Sequence, residues 1–92
     1  MIKTFKHKGL KLFFTTGNKA KINASHAGKL KTQLQALHTA ESVDDMDIPG
    51  WSFHELKGDR KGIFSITVNG NWRVTFEFVD GNAFILNYED YH

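Results

Sequence analysis

Residues 64–78 read Phe64-Ser65-Ile66-Thr67-Val68-Asn69-Gly70-Asn71-Trp72-Arg73-Val74-Thr75-Phe76-Glu77-Phe78. Phe64, Ile66 and Val68 alternate with Ser65 and Thr67, and Trp72, Val74, Phe76 and Phe78 alternate with Arg73, Thr75 and Glu77. A period of two is the signature of a strand with one face buried. Asn69-Gly70 between the two runs predicts a two-residue hairpin turn, since both residue types tolerate a positive φ. Downstream, Asp80-Gly81 or Gly81-Asn82 marks a second turn, and Phe84, Leu86 and Tyr88 continue the apolar face of a last strand. Upstream, Trp51 to Leu56 reads as an earlier strand with His54 near its end. Leu56 shares the parity of His54, which calls for a bulge or a strand end there.

The first forty residues have a different period. Phe5 to Thr16 places Leu10, Phe13 and Phe14 at helical spacing between lysines, with Gly17 at the position of a C-terminal cap. After a polar connection containing Asn18 and Asn23, Ser25 to Thr39 carries Ala27, Leu30, Leu34 and Leu37 as an i, i+3, i+4 stripe, with Ser25 as the expected N-cap. Glu41 to Gly50 has four acids, Pro49 and Gly50, and no period of either kind, so it reads as a loop. The expected fold is therefore α+β: two N-terminal helices packed on one face of a mostly antiparallel sheet. Ser65, Thr67, Arg73 and Thr75 should then lie exposed on the other face. We expect one domain over residues 1–92, with a basic helical half at 1–40 and the sheet with its functional face at 51–92.

Charge is divided unevenly along the chain. Residues 1–40 hold Lys3, Lys6, Lys8, Lys11, Lys19, Lys21, Lys29 and Lys31 and no acid, a net +8. The remainder sets Lys57, Arg60, Lys61 and Arg73 against ten acids, a net −6. A half this basic has the electrostatic footprint of a surface that meets phosphates. The eight lysines, with Arg60 and Lys61, are the candidate contacts to RNA. Eight Phe and two Trp supply a core, and the absence of cysteine excludes a disulfide framework and a thiolate metal site. Lysines follow Met1-Ile2 where a signal peptide would be apolar, and no stretch has the length of a membrane span. Cytoplasmic location without a membrane partner is the expectation.

Two clusters carry proton-handling or cationic groups. Glu89-Asp90-Tyr91-His92 puts an imidazole, a phenol and carboxylates directly after a strong strand. His54-Glu55-Leu56-Lys57-Gly58-Asp59-Arg60-Lys61-Gly62 is a loop with three cations and two glycines, suited to close approach of a phosphate but lacking a P-loop pattern. His7, His26, His38, His54 and His92 lack the paired spacing of a zinc site, so we expect no metal and no cofactor. RNA cleavage without a metal needs a base for the 2′-hydroxyl proton, cations around the pentacoordinate phosphate and an acid for the departing 5′-oxygen. His54 and His92 are candidates for base and acid in either order, Lys57 and Arg73 for charge stabilisation, and Asp90 and Tyr91 for orientation or proton donation.

The chain also resembles the HigB (host inhibition of growth) toxins of the RelE-like superfamily along its whole length. The resemblance is carried by Ile2-Lys3-Thr4-Phe5-Lys6-His7-Lys8-Gly9-Leu10, by Leu56-Lys57-Gly58-Asp59-Arg60 with His54 ahead of it, by Ser65-Ile66-Thr67-Val68 and Asn71-Trp72-Arg73, and by Leu86-Asn87-Tyr88-Glu89-Asp90-Tyr91-His92. It implies a RelE-like fold and a toxin of a type II toxin–antitoxin system that cuts messenger RNA on the 70S ribosome, neutralised by a HigA-type antitoxin. It implies an active site of His54, Lys57, Arg73, Asp90, Tyr91 and His92, with the basic helices facing ribosomal RNA. A gyrase-poisoning toxin of the ParE kind would share the fold but has no need for His54, Asp90, Tyr91 and His92 together. A non-catalytic RNA-binding module would use the lysines alone.

Overall fold

The computed structural model describes residues 1–90; Tyr91 and His92 lie outside the described residues. Two helices, α1 (Lys8–Thr16) and α2 (Ala27–Thr39), precede a four-stranded antiparallel sheet of β1 (His54–Glu55), β2 (Phe64–Asn69), β3 (Trp72–Val79) and β4 (Asn82–Asp90), in the order β1-β2-β3-β4. The expected α+β architecture is the observed one. Leu10 and Phe13 of α1 and Leu30, Leu34 and Leu37 of α2 are buried in one cluster with Ile66, Val68, Val74, Phe76, Leu86 and Tyr88 of the sheet. Both helices thus cover the apolar sheet face, as their stripes predict.

The ends of the elements depart from the sequence reading where tertiary partners outbid local preference. The first helix starts at Lys8, not Phe5, because the preceding residues are extended along the edge of β4. Lys3 N–H donates to Ala83 O at 2.7 Å and Lys6 N–H to Leu86 O at 2.8 Å, and Ile2 and Phe5 form parallel bridges with Ala83 and Leu86. His7 then caps α1, its Nδ1 accepting the Leu10 N–H at 2.9 Å. Gly17 ends the helix in the left-handed region at φ +80°, as expected. The cap expected from Ser25 belongs to Asn23 instead, whose side chain accepts the Ser25 N–H ahead of a short 3-10 turn, Ala24–His26. The loop at 41–50 contains a 3-10 turn, Val43–Met46, held by a capping box between Ser42 and Asp45. Only His54 and Glu55 of the 51–56 segment pair as a strand.

Two bulges rearrange the sheet. Between Thr67 and Asn69 the register with β3 shifts by one, so the two-residue turn is Gly70-Asn71 and not Asn69-Gly70, with Gly70 at φ +56°. The Thr67 carbonyl freed at this bulge accepts from buried Gln33 of α2 at 2.8 Å. The second shift lies opposite Phe76, where β4 inserts one extra residue and Ile85 takes a φ of +50°. Parity reverses there: Ala83 pairs with Phe78 and is buried, whereas Phe84 pairs with Glu77 and leaves the core face it was expected to share with Leu86 and Tyr88.

Candidate active site

The sheet face opposite the helices carries two rows of side chains, fixed by cross-strand pairing. His54 pairs with Ser65, Ser65 with Thr75, and Thr75 with Asn87. In the next row Thr67 pairs with Arg73, and Arg73 with Glu89. The expectation that this face is open needs correction at two positions. Ser65 and Thr75 are buried, and Arg60 and Ile63 from the β1–β2 connection, together with Lys6, Ile85 and Asn87, gather around Thr75. They line a pocket of about 140 Å³. Thr67 and Arg73 are half-buried.

His54 is exposed, and its Nδ1 lies 2.8 Å from the carbonyl oxygen of Ser52, a residue held at φ +49°. A carbonyl only accepts, so Nδ1 carries the hydrogen and the neutral ring presents its Nε2 lone pair to solvent. That is the form a general base needs. The other described histidines are committed to structure. His7 Nδ1 caps α1, His38 Nδ1 accepts the Ile2 N–H at 3.1 Å, and buried His26 has Nδ1 2.6 Å from Tyr88 Oη. Burial lowers the pKa of His7 and raises that of Tyr88, as desolvation of the charged form requires in each case.

Arg73 donates to Thr67 Oγ1 at 3.2 Å, which directs its guanidinium across the face. Arg60 meets Glu89 through both terminal nitrogens, at 2.8 and 3.2 Å, and Asn87 donates to the same carboxylate at 2.8 Å. The Arg60 hydrogen bond, and secondarily the Arg60, Asn87 and Lys6 neighbourhood, holds the Glu89 carboxyl below its ordinary range, against the opposing effect of burial. From the sequence Thr75 was expected only as an exposed face residue and Glu89 only as a member of the terminal cluster without a role, and Asn87 was not singled out. The pairing of the Trp72–Phe78 run with the last strand is the signal that would have found them, since it sets Glu89 opposite Arg73.

Of the residues expected in the site, the structure brings His54, Arg73 and Arg60 to the polar face. Lys57 is exposed at the start of the 3-10 turn Gly58–Arg60, with Lys61 just beyond it. Asp90 is exposed and pairs with Trp72, one position past Glu89 and so on the alternate parity. Tyr91 and His92 fall outside the described residues. All eight lysines of the first forty residues are exposed. Lys6 reaches the polar pocket, whereas Lys8, Lys11, Lys29 and Lys31 belong to the helical layer. Lys19 and Lys31 rim a larger depression of about 400 Å³ between the helices, lined mostly by Phe13, Phe14, Ala27 and Leu34 and without a proton-transfer group. Among the described residues no three His, Asp or Glu side chains converge as a metal-holding group, and no helix is long and apolar enough to cross a membrane.

The chain is 50% identical over 92 residues to the endoribonuclease HigB of Proteus vulgaris, covering all of both chains. It is 37% identical over 90 residues to toxin HigB-1 of Vibrio cholerae serotype O1, covering 96% of this chain and 94% of the relative. The family profile described as the RelE-like toxin HigB of type II toxin–antitoxin systems matches residues 3–92. The chain belongs to this HigB-like family of RelE-like toxins.

Proposed function

We propose that the chain is an endoribonuclease that cuts messenger RNA on the ribosome by acid–base chemistry, and that a HigA-type antitoxin restrains it. The observation that carries the reading is the polar face, where an exposed imidazole with Nε2 available shares a sheet surface with Arg73 and Arg60. His54 and Arg73 stand two strands and two residues apart, roughly 12 Å between backbone positions, within the joint reach of both side chains around one phosphate. His54 Nε2 takes the 2′-hydroxyl proton, and the 2′-oxygen attacks the adjacent phosphorus. The bond to the 5′-oxygen then breaks, and that oxygen takes a proton from an acid. The products are a 2′,3′-cyclic phosphate and a 5′-hydroxyl. Arg73 and Lys57 balance charge on the pentacoordinate phosphate. We assign the acid and its orientation to the set His92, Tyr91 and Asp90, on the grounds of their chemistry.

The test is cleavage of a message on programmed ribosomes by purified toxin, with the ends of the fragments identified. Fragments ending in a 2′,3′-cyclic phosphate are expected, and a 2′-deoxy nucleotide at the cut position should block the reaction. His54→Ala should lower the rate by about 10² to 10⁴ with the fold intact, because the side chain is exposed. Fragments bearing 3′-hydroxyl ends, or an active His54→Ala protein, would overturn the mechanism.

A further inference from the structure

Ile85 is out of place by every local rule. A β-branched residue at φ +50° is a steric outlier, and the residue is 41% exposed although its side chain is among the most apolar. A glycine would satisfy the same backbone without strain. The conformation is imposed from outside the strand: Ile85 N–H donates to Thr4 Oγ1 at 2.7 Å, Leu86 N–H to Thr4 O at 3.1 Å, and Leu86 O accepts from Lys6 and His7. Bulges beside active sites commonly serve to re-aim a side chain, and strain of this kind persists where function uses it.

Ile85 lines the polar pocket. Its lining consists of two isoleucines, Ile63 and Ile85, two cations, Lys6 and Arg60, and the paired Thr75 and Asn87 in the row of His54. A simple anion site would have no use for the isoleucines, and a simple apolar site none for the cations. A nucleotide has an apolar base face, hydroxyls on its sugar and a phosphate, and this pocket offers a surface for each. Glu89 already orients Arg60, which lowers the cost of ordering that side chain on binding.

We propose that Lys6, Arg60, Ile63, Thr75, Ile85 and Asn87 form a subsite for one nucleotide of the RNA strand beside the scissile phosphate, with Ile85 as the platform for its base. The proposal rests on the nuclease reading above and assigns a further binding residue to that site. It predicts a trade-off: removing the Ile85 side chain relieves backbone strain yet weakens cleavage.

The experiment compares wild type, Ile85→Gly, Ile85→Asn and Ile85→Leu on ribosomes programmed with an intact message or with messages carrying an abasic nucleotide at each position of the cut codon in turn. The Gly and Asn variants, both at ease at positive φ, should melt at or above the wild-type temperature and cut the intact message about tenfold more slowly. Ile85→Leu, which keeps an apolar platform, should stay within about threefold of wild type. At one abasic position the wild-type rate should fall about tenfold, to the level of Ile85→Gly, while the Gly variant loses nothing further there. Equal rates for wild type and both strain-relieved variants on the intact message, or equal abasic penalties in all proteins, would overturn the subsite alone. Failure of the wild type to cut the intact message would instead bring down the nuclease reading, and the subsite with it.

Discussion

Glu89 lies on the polar face near the end of the last strand, β4. Its carboxylate meets Arg60 at 2.8 Å, stands opposite Arg73 and accepts from Asn87. Because the Arg60 interaction lowers its pKa, the folded state binds this proton less readily than the unfolded chain. The stabilisation is therefore complete above the ordinary carboxylate pKa and is lost as pH falls through the lowered folded value. With 41% of the Arg60 side chain exposed, solvent screens the pair, and Glu89→Gln should cost about 0.5 kcal/mol at pH 7. Denaturant unfolding of both proteins should show this gap closing as the pH falls below the ordinary carboxylate range; a gap that is the same at neutral and acid pH would mean that Glu89 acts through packing and not charge. At this scale alternation in the sequence set Arg73 on the polar face, and the strand pairing adds His54 to the same face. The sequence did not assign Glu89 a role, because Arg60 reaches it from 29 residues away and only folding brings the two together.

At the scale of elements, α1 is set by a histidine cap, a left-handed Gly17 and the connection that folds back over its first turn. Gly9 lies at that contact. A Cβ placed there would come within 3 Å of Lys21 Cβ, the Lys21 carbonyl oxygen and His7 Cε1. Alanine ordinarily favours a helix over glycine by about 1 kcal/mol. Gly9→Ala should nonetheless destabilise the protein, by about 1 to 3 kcal/mol, because backbone must move to admit the methyl group. Thermal or chemical denaturation decides it, and a stabilised Gly9→Ala protein would show that the connection yields freely. The strand stretch at 64–78 was legible because alternation records burial directly. The bulges at Thr67/Asn69 and at Ile85 were not, since each answers to a partner distant in sequence, Gln33 in one case and Thr4 in the other.

The whole molecule separates its charges by layer. The polar face holds His54, Arg73 and the Arg60–Glu89 pair, while Lys8, Lys11, Lys29 and Lys31 decorate the helices on the opposite side of the sheet. If the toxin works against the ribosome, the helical lysines act as its grip on surrounding RNA and need not touch the cut phosphate. Replacing Lys29 and Lys31 together by alanine should weaken ribosome binding at low salt and reduce the slope of log K against log salt by about 1 to 2, with the fold unchanged because both side chains are exposed. Binding titrations across a salt series measure this, and an unaltered slope would exclude these two positions from the contact.

The sequence by itself determined the class of fold, the buried stripes of the two helices, the alternation of the central strands and the basic half. Each of these is written in local periodicity or in composition, which need no distant partner to be expressed. Tertiary structure alone decided that residues 1–7 pair along β4, that Ser65 and Thr75 are buried, that Glu89 faces Arg73, and that Ile85 lines the pocket with Lys6. The physical reason is the same in each case: hydrogen bonds and ion pairs between segments far apart in the chain outweigh the local preferences on which alternation and capping rules depend.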